Sequence, residues 1–295
     1  MLEPVRDRWP HLWPWIQLMR LDRPIGTLLL LWPTLWAVWV AGEGTPSLRV
    51  ILVFILGVIV MRAAGCVIND YADRNLDGHV ARTKERPLAT GALRGRDALM
   101  LFVGLLFIAL ILVLFLNRFA FFLAFGGVAL AVIYPFMKRF TFLPQLFLGA
   151  AFAWAIPMAF AAEASALPPH AWLIYIATLV WTVAYDTQYA MCDREDDLKV
   201  GIKSTAILFG DADRLMIGLL QLLALWPLWL LGSHLEFGWP WYAGLAVALA
   251  LFAWQQWLIR DRDPALCFRA FLNNQWVGAA VFAGLWFQYL LQAGG

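Results

Sequence analysis

Charge is what this sequence has least of. Asp, Glu, Lys and Arg make up 14% of its 295 residues, about half the share of an ordinary globular chain. A soluble surface needs roughly 25–35%, so a water-facing domain of any size is excluded. Cysteine is scarce too: Cys66, Cys192 and Cys267 stand at unrelated spacings. Neither a disulfide framework nor a C-x-x-C metal site is expected from them. Four histidines, His11, His79, His170 and His234, are scattered and form no expected site. A net charge of +2 gives no ground for nucleic-acid binding. The opening stretch, MLEPVRDRWPHLWPW, carries acids and prolines where a cleavable signal would carry its apolar run, so none is expected.

What is abundant is hydrophobic residues, 62% of the chain, enough for roughly nine spans of about 20 residues. The expectation is an all-α integral membrane protein, one polytopic membrane domain over residues 1–295. Hydropathy picks nine candidate helices, at about 24–42, 48–69, 98–117, 119–137, 142–162, 171–191, 214–232, 240–258 and 272–292. The runs are continuous, without the alternation of a membrane barrel, and lipid leaves helices as the solution that satisfies the backbone. Basic residues then test the layout. With the N-terminus cytoplasmic, 19 of 22 lysines and arginines fall on the inner side. Arg49 and Arg118 alone lie outside, and Arg62 lies within the second span. That asymmetry predicts a multi-pass protein, N-terminus in and C-terminus out; the expected location is a bacterial-type inner membrane.

The acids are not spread evenly. Eight of 20 fall in two windows, NDYADRNLDG and YDTQYAMCDREDD. Both windows sit at the inner end of an expected span, beside the long loops at about 70–97 and 192–213. Asp73 with Asp77, and Asp193 with Asp197, repeat the spacing D-x-x-x-D, and Asn69 and Tyr189 precede them at the same interval. Residues four apart share one helix face. Two carboxylates held that way repel each other, and more so near lipid. A hard cation between them relieves the repulsion, and Mg2+ commonly binds one or two carboxylates plus substrate phosphates. One such pair reads as an ordinary solvated helix end; two matched copies read as a site. Basic residues interleave with them: Arg82, Lys84 and Arg86, Lys138 and Arg139, Lys199 and Lys203. Acids for metal and bases for phosphate oxygens are the ingredients of a diphosphate site.

At these residues the chain resembles the UbiA superfamily of intramembrane prenyltransferases, whose signature is N-x-x-x-D-x-x-x-D in one half and D-x-x-x-D in the other. Here these are Asn69-Asp73-Asp77 and Asp193-Asp197. NDYADRNLDGHVARTKERPLATG, YPFMKRFTFLPQ, YDTQYAMCDREDDLKVGIKSTAILFG and the early RPIGTLLLLWPTLWAVWVAG look like the 4-hydroxybenzoate polyprenyltransferase branch of ubiquinone synthesis. The resemblance implies nine transmembrane helices around a central cavity open to the membrane, with both motifs at its cytoplasmic mouth. It implies a magnesium-dependent transfer of a polyprenyl group from polyprenyl diphosphate to the ring carbon ortho to the hydroxyl of 4-hydroxybenzoate.

On that basis Asp73, Asp77, Asp193 and Asp197 are the expected catalytic acids, holding Mg2+ together with Asn69. Lys84, Arg86, Arg139 and Lys199 are expected on the diphosphate. Arg23, Arg62, Arg74 and Tyr189 are expected on the acceptor, whose carboxylate wants an arginine; Arg62, seven residues before Asn69 and within a span, also reads as a counter-ion for the acids. Tyr71, Tyr134, Tyr185 and Tyr189 offer faces to an allylic cation. Asp193 or Asp186 is the expected base. The last three helices carry few polar residues and read as cavity wall and scaffold. Two rivals are a prenyltransferase with another aromatic acceptor and an ion-coupled transporter; no obligate protein partner is inferred.

Overall fold

The computed structural model describes residues 8–75, 78 and 83–294. Among these the chain is entirely helical, with no strand. A short helix, α1 (Trp13–Leu18), precedes α2 (Ile25–Ala41), α3 (Leu48–Asp73), α4 (Gly95–Val113), α5 (Arg118–Met137), α6 (Pro144–Ala153) and α7 (Ala155–Ala164). Then follow α8 (Pro169–Val200), a short α9 (Thr205–Phe209), α10 (Asp213–His234), α11 (Trp239–Leu258) and α12 (Pro264–Ala293). Among the described residues, seven helical segments are both long and apolar enough to cross a membrane: Leu48–Asp73, Gly95–Val113, Arg118–Met137, Pro144–Ala164, Thr205–His234, Trp239–Asp261 and Pro264–Ala293. α2 is apolar but shorter, and α8 spends its last third on polar residues.

Local chemistry sets the ends. Ser47, Asn117 and Asp263 cap α3, α5 and α12, each accepting from the backbone N–H three residues on. Gly201, at φ +77°, closes α8 in the left-handed region that glycine favours. The segment expected as one helix at 142–162 is two, parted at Trp154. Pro157 explains this: it has no N–H for the Ala153 carbonyl, and its ring crowds that turn.

The helices pack without much help from hydrophobicity, since lipid is as apolar as the core. Small residues allow close approach instead. A β-carbon on Gly244 of α11 would stand 2.8 Å from the Ala280 carbonyl oxygen and 3.0 Å from the Gly284 Cα, both on α12. Buried amides add directional bonds. Trp181 donates to Asn274 Oδ1 (2.9 Å), Asn274 to Gln188 Oε1 (2.9 Å), and Gln188 and Gln221 both to Gln255 Oε1 (3.0 and 2.8 Å). Gln255 in turn donates to Asn273 (3.0 Å). The last three helices are therefore less plain than hydropathy implies: they hold a polar network that ties α8 to α10, α11 and α12.

One ion cluster anchors the loops around α10. Asp213 is fully buried and meets Arg194 at 3.0 Å and Arg262 at 2.9 Å. The hydrogen bond to Asp213 raises the Arg262 guanidinium above its ordinary value. Asp213→Ala leaves two arginines without their carboxylate. Breaking a buried pair usually costs 3–5 kcal/mol; both arginines reach solvent, so about 3 kcal/mol is expected here. Thermal unfolding in detergent checks it, and an unchanged Tm would remove Asp213 from the fold's supports.

Candidate active site

α3 carries the first motif to its last turn. Asn69, Asp70 and Asp73 follow Arg62 along one helix, and the helix ends at Asp73. Asp77 lies outside the described residues, as do His79 and Arg82. The second motif corrects an expectation. Asp193 and Asp197 are not in a loop starting near 192: α8 runs unbroken to Val200, so both sit on helix one turn apart. The run DREDDLKV is polar, which hydropathy takes for loop, but glutamate, lysine, arginine and leucine form helix well.

A cavity of 450 Å³ reaches both acidic windows at Asn69, Asp70, Asp186 and Tyr189, while Asp73 is not part of its lining. Its polar wall includes Asn69 and Asp70 of α3, Asp186 and Tyr189 of α8, and Tyr134 of α5. Arg62 stands two turns deeper on α3, about 10 Å from Asn69 along the axis. Beyond Arg62 the wall is apolar, with Leu110, Val113, Phe121, Phe125 and Trp154. Trp154, at the break between α6 and α7, is pinned by donating its indole N–H to the Leu123 carbonyl at 2.7 Å. Leu110 of α4 and Phe125 of α5 are also exposed.

The charged residues sort themselves around this space. Asp73, 1% exposed, is ion-paired with Lys138. Arg139 donates to the Ala72 carbonyl. The loop after α5 thus reaches the first motif through both of its basic residues, although sequence reasoning favoured Arg139. The same loop touches the segment after α8: the Lys203 N–H donates to the Lys138 carbonyl at 3.3 Å. Gln145, at the start of α6, accepts from the Thr205 N–H at 3.1 Å, so the stretch from the end of α5 to α6 joins the end of α3 to the segment after α8. Asp70 lies in the first acidic window, outside its D-x-x-x-D pair. It is buried and meets Arg86 at 3.0 Å and Arg20 at 3.0 Å on the cavity wall.

Other expected residues scatter. Arg23 lines the cavity but is exposed, 3.7 Å from Asp22. Arg74 lies outside the cavity lining, stacked 4.3 Å over Tyr71 and donating to its carbonyl. Lys84 and Lys199 are exposed and outside the lining, Lys199 paired with Asp196 at 3.1 Å. Asp193 and Asp197 are likewise not part of the lining, and Asp197 is buried. Tyr185 and Tyr189 line the cavity and pack on Trp181 (5.4 Å) and Phe271 (4.8 Å) respectively.

Arg62 is the unusual member. Its Nε is buried without an acceptor, and its guanidinium makes no hydrogen bond or ion pair with any described residue. Phe152 lies 5.8 Å from its Cζ. It is therefore not a counter-ion to the described acids. A half-buried cation whose Nε has no acceptor, facing a cavity, suits an anionic ligand.

The donor set around the motifs is oxygen only: Asn69, Asp73, Asp193 and Asp197 among the described residues. Those residues contain no group of three His, Cys, Asp or Glu side chains that holds a metal by itself. Oxygen donors are the kind that Mg2+ takes, with water and phosphate oxygens completing its shell.

Comparison with known proteins gives a consistent result. The model of the UbiA prenyltransferase family matches residues 30–287. A protein of Alcanivorax borkumensis named 4-hydroxybenzoate octaprenyltransferase is 70% identical, covering 97% of this chain and 98% of its own. One of the same name from Pseudomonas aeruginosa is 59% identical over 99% of each chain. Among solved structures, a UbiA homolog from Aeropyrum pernix K1 in its apo form superposes with a TM-score of 0.78 at 22% identity, covering 88% of this chain and 96% of its own. A UbiA homolog from Archaeoglobus fulgidus bound to GPP and Mg2+ gives a TM-score of 0.69 at 20% identity, covering 92% and 99%. At such identities these two speak for the fold alone.

Proposed function

The chain belongs to the UbiA prenyltransferase family, and from that premise we propose that it moves a polyprenyl group from polyprenyl diphosphate onto 4-hydroxybenzoate. The observation that carries this reading is a cavity with acids and bases at one end, an unpartnered arginine in the middle and an apolar remainder. The names of the Alcanivorax and Pseudomonas relatives favour this acceptor and an octaprenyl donor over another aromatic acceptor.

In the reaction the allylic carbon–oxygen bond breaks and its electron pair leaves with the diphosphate. The ring carbon ortho to the hydroxyl then bonds to the allylic carbon and loses its proton. Asn69, Asp73, Asp77, Asp193 and Asp197 would hold Mg2+, which would supply charge stabilisation for the departing diphosphate. Lys138 sets the position of Asp73. Arg86 and Arg139 take phosphate oxygens, Arg86 exchanging its contact with Asp70. Lys84 and Lys199 are exposed and attract the diphosphate rather than hold it. Tyr134, Tyr185 and Tyr189 shield the allylic cation from water and stabilise it through their faces. Asp186, which lines the cavity, suits the base better than Asp193, which does not. Arg62 holds the acceptor carboxylate, ahead of the exposed Arg23 and Arg74. The prenyl tail leaves towards lipid between α4 and α5. Nine membrane crossings with the N-terminus cytoplasmic, in an inner membrane, complete the proposal.

A transporter reading finds little support. Its acids belong near the midplane on interrupted helices, whereas the interrupted pair α6–α7 carries one acid, Glu163, bonded to Ser47.

The test is direct. Membranes holding the protein are given labelled 4-hydroxybenzoate, a polyprenyl diphosphate and magnesium, and the product is identified by mass. The expected product is the ring-prenylated acid, and chelation of magnesium stops its formation. Asp193→Ala is expected to stop it as well. Turnover that survives both treatments would sink the proposal.

A further inference from the structure

The RPIG turn that opens α2 has no part in the chemistry above, yet it touches Arg62. Gly26 is buried, two residues into α2. A β-carbon built there would overlap the Arg62 guanidinium, meeting Nη2, Nε and Cζ. No other residue's atoms come nearer to that position. The absent side chain of Gly26 is therefore the space in which the guanidinium lies.

Two features separate this from ordinary helix packing. Gly26 is helical with a negative φ, so its backbone does not need glycine, and alanine would favour the helix. The group that a methyl would strike is also the far end of a flexible side chain, so Arg62 would swing away before α2 or α3 moved. The geometry points to Gly26 as a positioning residue for the acceptor: it keeps open the slot that aims Arg62 at the acceptor carboxylate. This rests on the reading of Arg62 given above. It assigns the RPIG glycine to recognition of a small aromatic anion, not to the stability of the bundle.

The expected effect is selective. Gly26→Ala raises the KM for 4-hydroxybenzoate at least tenfold, leaves the KM for the prenyl diphosphate within twofold and does not lower Tm. Preference among acceptors gives a second readout. The native enzyme should take 4-hydroxybenzoate far better than 4-hydroxybenzamide, which has the same shape without the charge. Gly26→Ala should lose that preference, as Arg62→Gln does. The double variant should be no worse than Arg62→Gln alone, because both changes remove one contact. Titration of 4-hydroxybenzoate into the protein without a prenyl donor, followed by calorimetry, should show the same weakening.

Several results would overturn the assignment. Gly26→Ala with native acceptor KM and preference, while Arg62→Gln loses both, removes Gly26 from acceptor binding and leaves Arg62 in place. An equal rise in both KM values, or a lowered Tm, makes Gly26 a packing residue. So does failure of both Gly26→Ala and Gly26→Ser to fold. If Arg62→Gln keeps native acceptor binding, the role of Arg62 falls first and that of Gly26 with it.

Discussion

Asp73→Ala is expected to lower kcat by about 1,000-fold or more, equal to about 4 kcal/mol of lost transition-state stabilisation. The reaction's difficulty lies in the charge that gathers on the leaving diphosphate, and groups arranged in advance for such charge carry the largest single share of catalysis. Asp73 is arranged in that sense. It ends α3, it is 1% exposed, and Lys138 holds it from the loop that also contacts the segment after α8. Asp73→Asn keeps the volume and one acceptor oxygen but removes the charge, so it should be nearly as inactive. Both variants should need more magnesium for half-maximal rate, a shift that a packing defect does not produce. Some stability should be lost as well, as at Asp213, because Lys138, 20% exposed in its side chain, loses its carboxylate. The measurement is initial rate against magnesium for purified variants, with thermal unfolding alongside. Asp73→Ala retaining a tenth of native kcat would take the first motif out of the reaction.

How much of this was legible in the sequence differs by residue. Each of the nine hydropathy segments lies on helix, because lipid forces long apolar runs into one backbone solution. The acidic pairs were legible because their spacing is local. Where hydropathy was the wrong instrument, it failed in both directions. It ended α8 near 191, since Asp193 to Lys199 is polar, although the helix continues to Val200. It also ran across Trp154, where Pro157 breaks the helix while hydrophobicity stays high. The cluster of Arg20, Asp70 and Arg86 was out of reach for another reason. Its members come from three separate segments and meet only once α1, α3 and the stretch before α4 are packed. The slot at Gly26 is the same kind of fact. Thirty-six positions separate it from Arg62, and no periodicity links them.

Arg62→Met is expected to part stability from function. An arginine within a span carries a penalty of about 3 kcal/mol at the membrane centre, and proteins accept such a charge when it is paired or used. Here the guanidinium has no ion-pair partner among the described residues, and Nε is buried without an acceptor. Replacing it with methionine removes the uncompensated charge and keeps a side chain able to fill the space beside Phe152. The variant should therefore unfold at a temperature a few degrees higher than the native protein. Acceptor binding should move the other way. A charge-assisted bond to a carboxylate is worth about 1.5–3 kcal/mol, so the KM for 4-hydroxybenzoate should rise roughly ten- to a hundredfold. The KM for the prenyl diphosphate should hold, because the bases assigned to it stand at the mouth. Saturating the native protein with 4-hydroxybenzoate should raise its own Tm, as any ligand of the folded state does, and Arg62→Met should lose that rise. A variant less stable than native, with native acceptor KM, would make Arg62 a structural residue and leave Arg23 and Arg74 as the carboxylate's candidate partners. A gain in Tm together with lost acceptor binding has one physical reading: the fold carries an unpaired charge that the substrate completes.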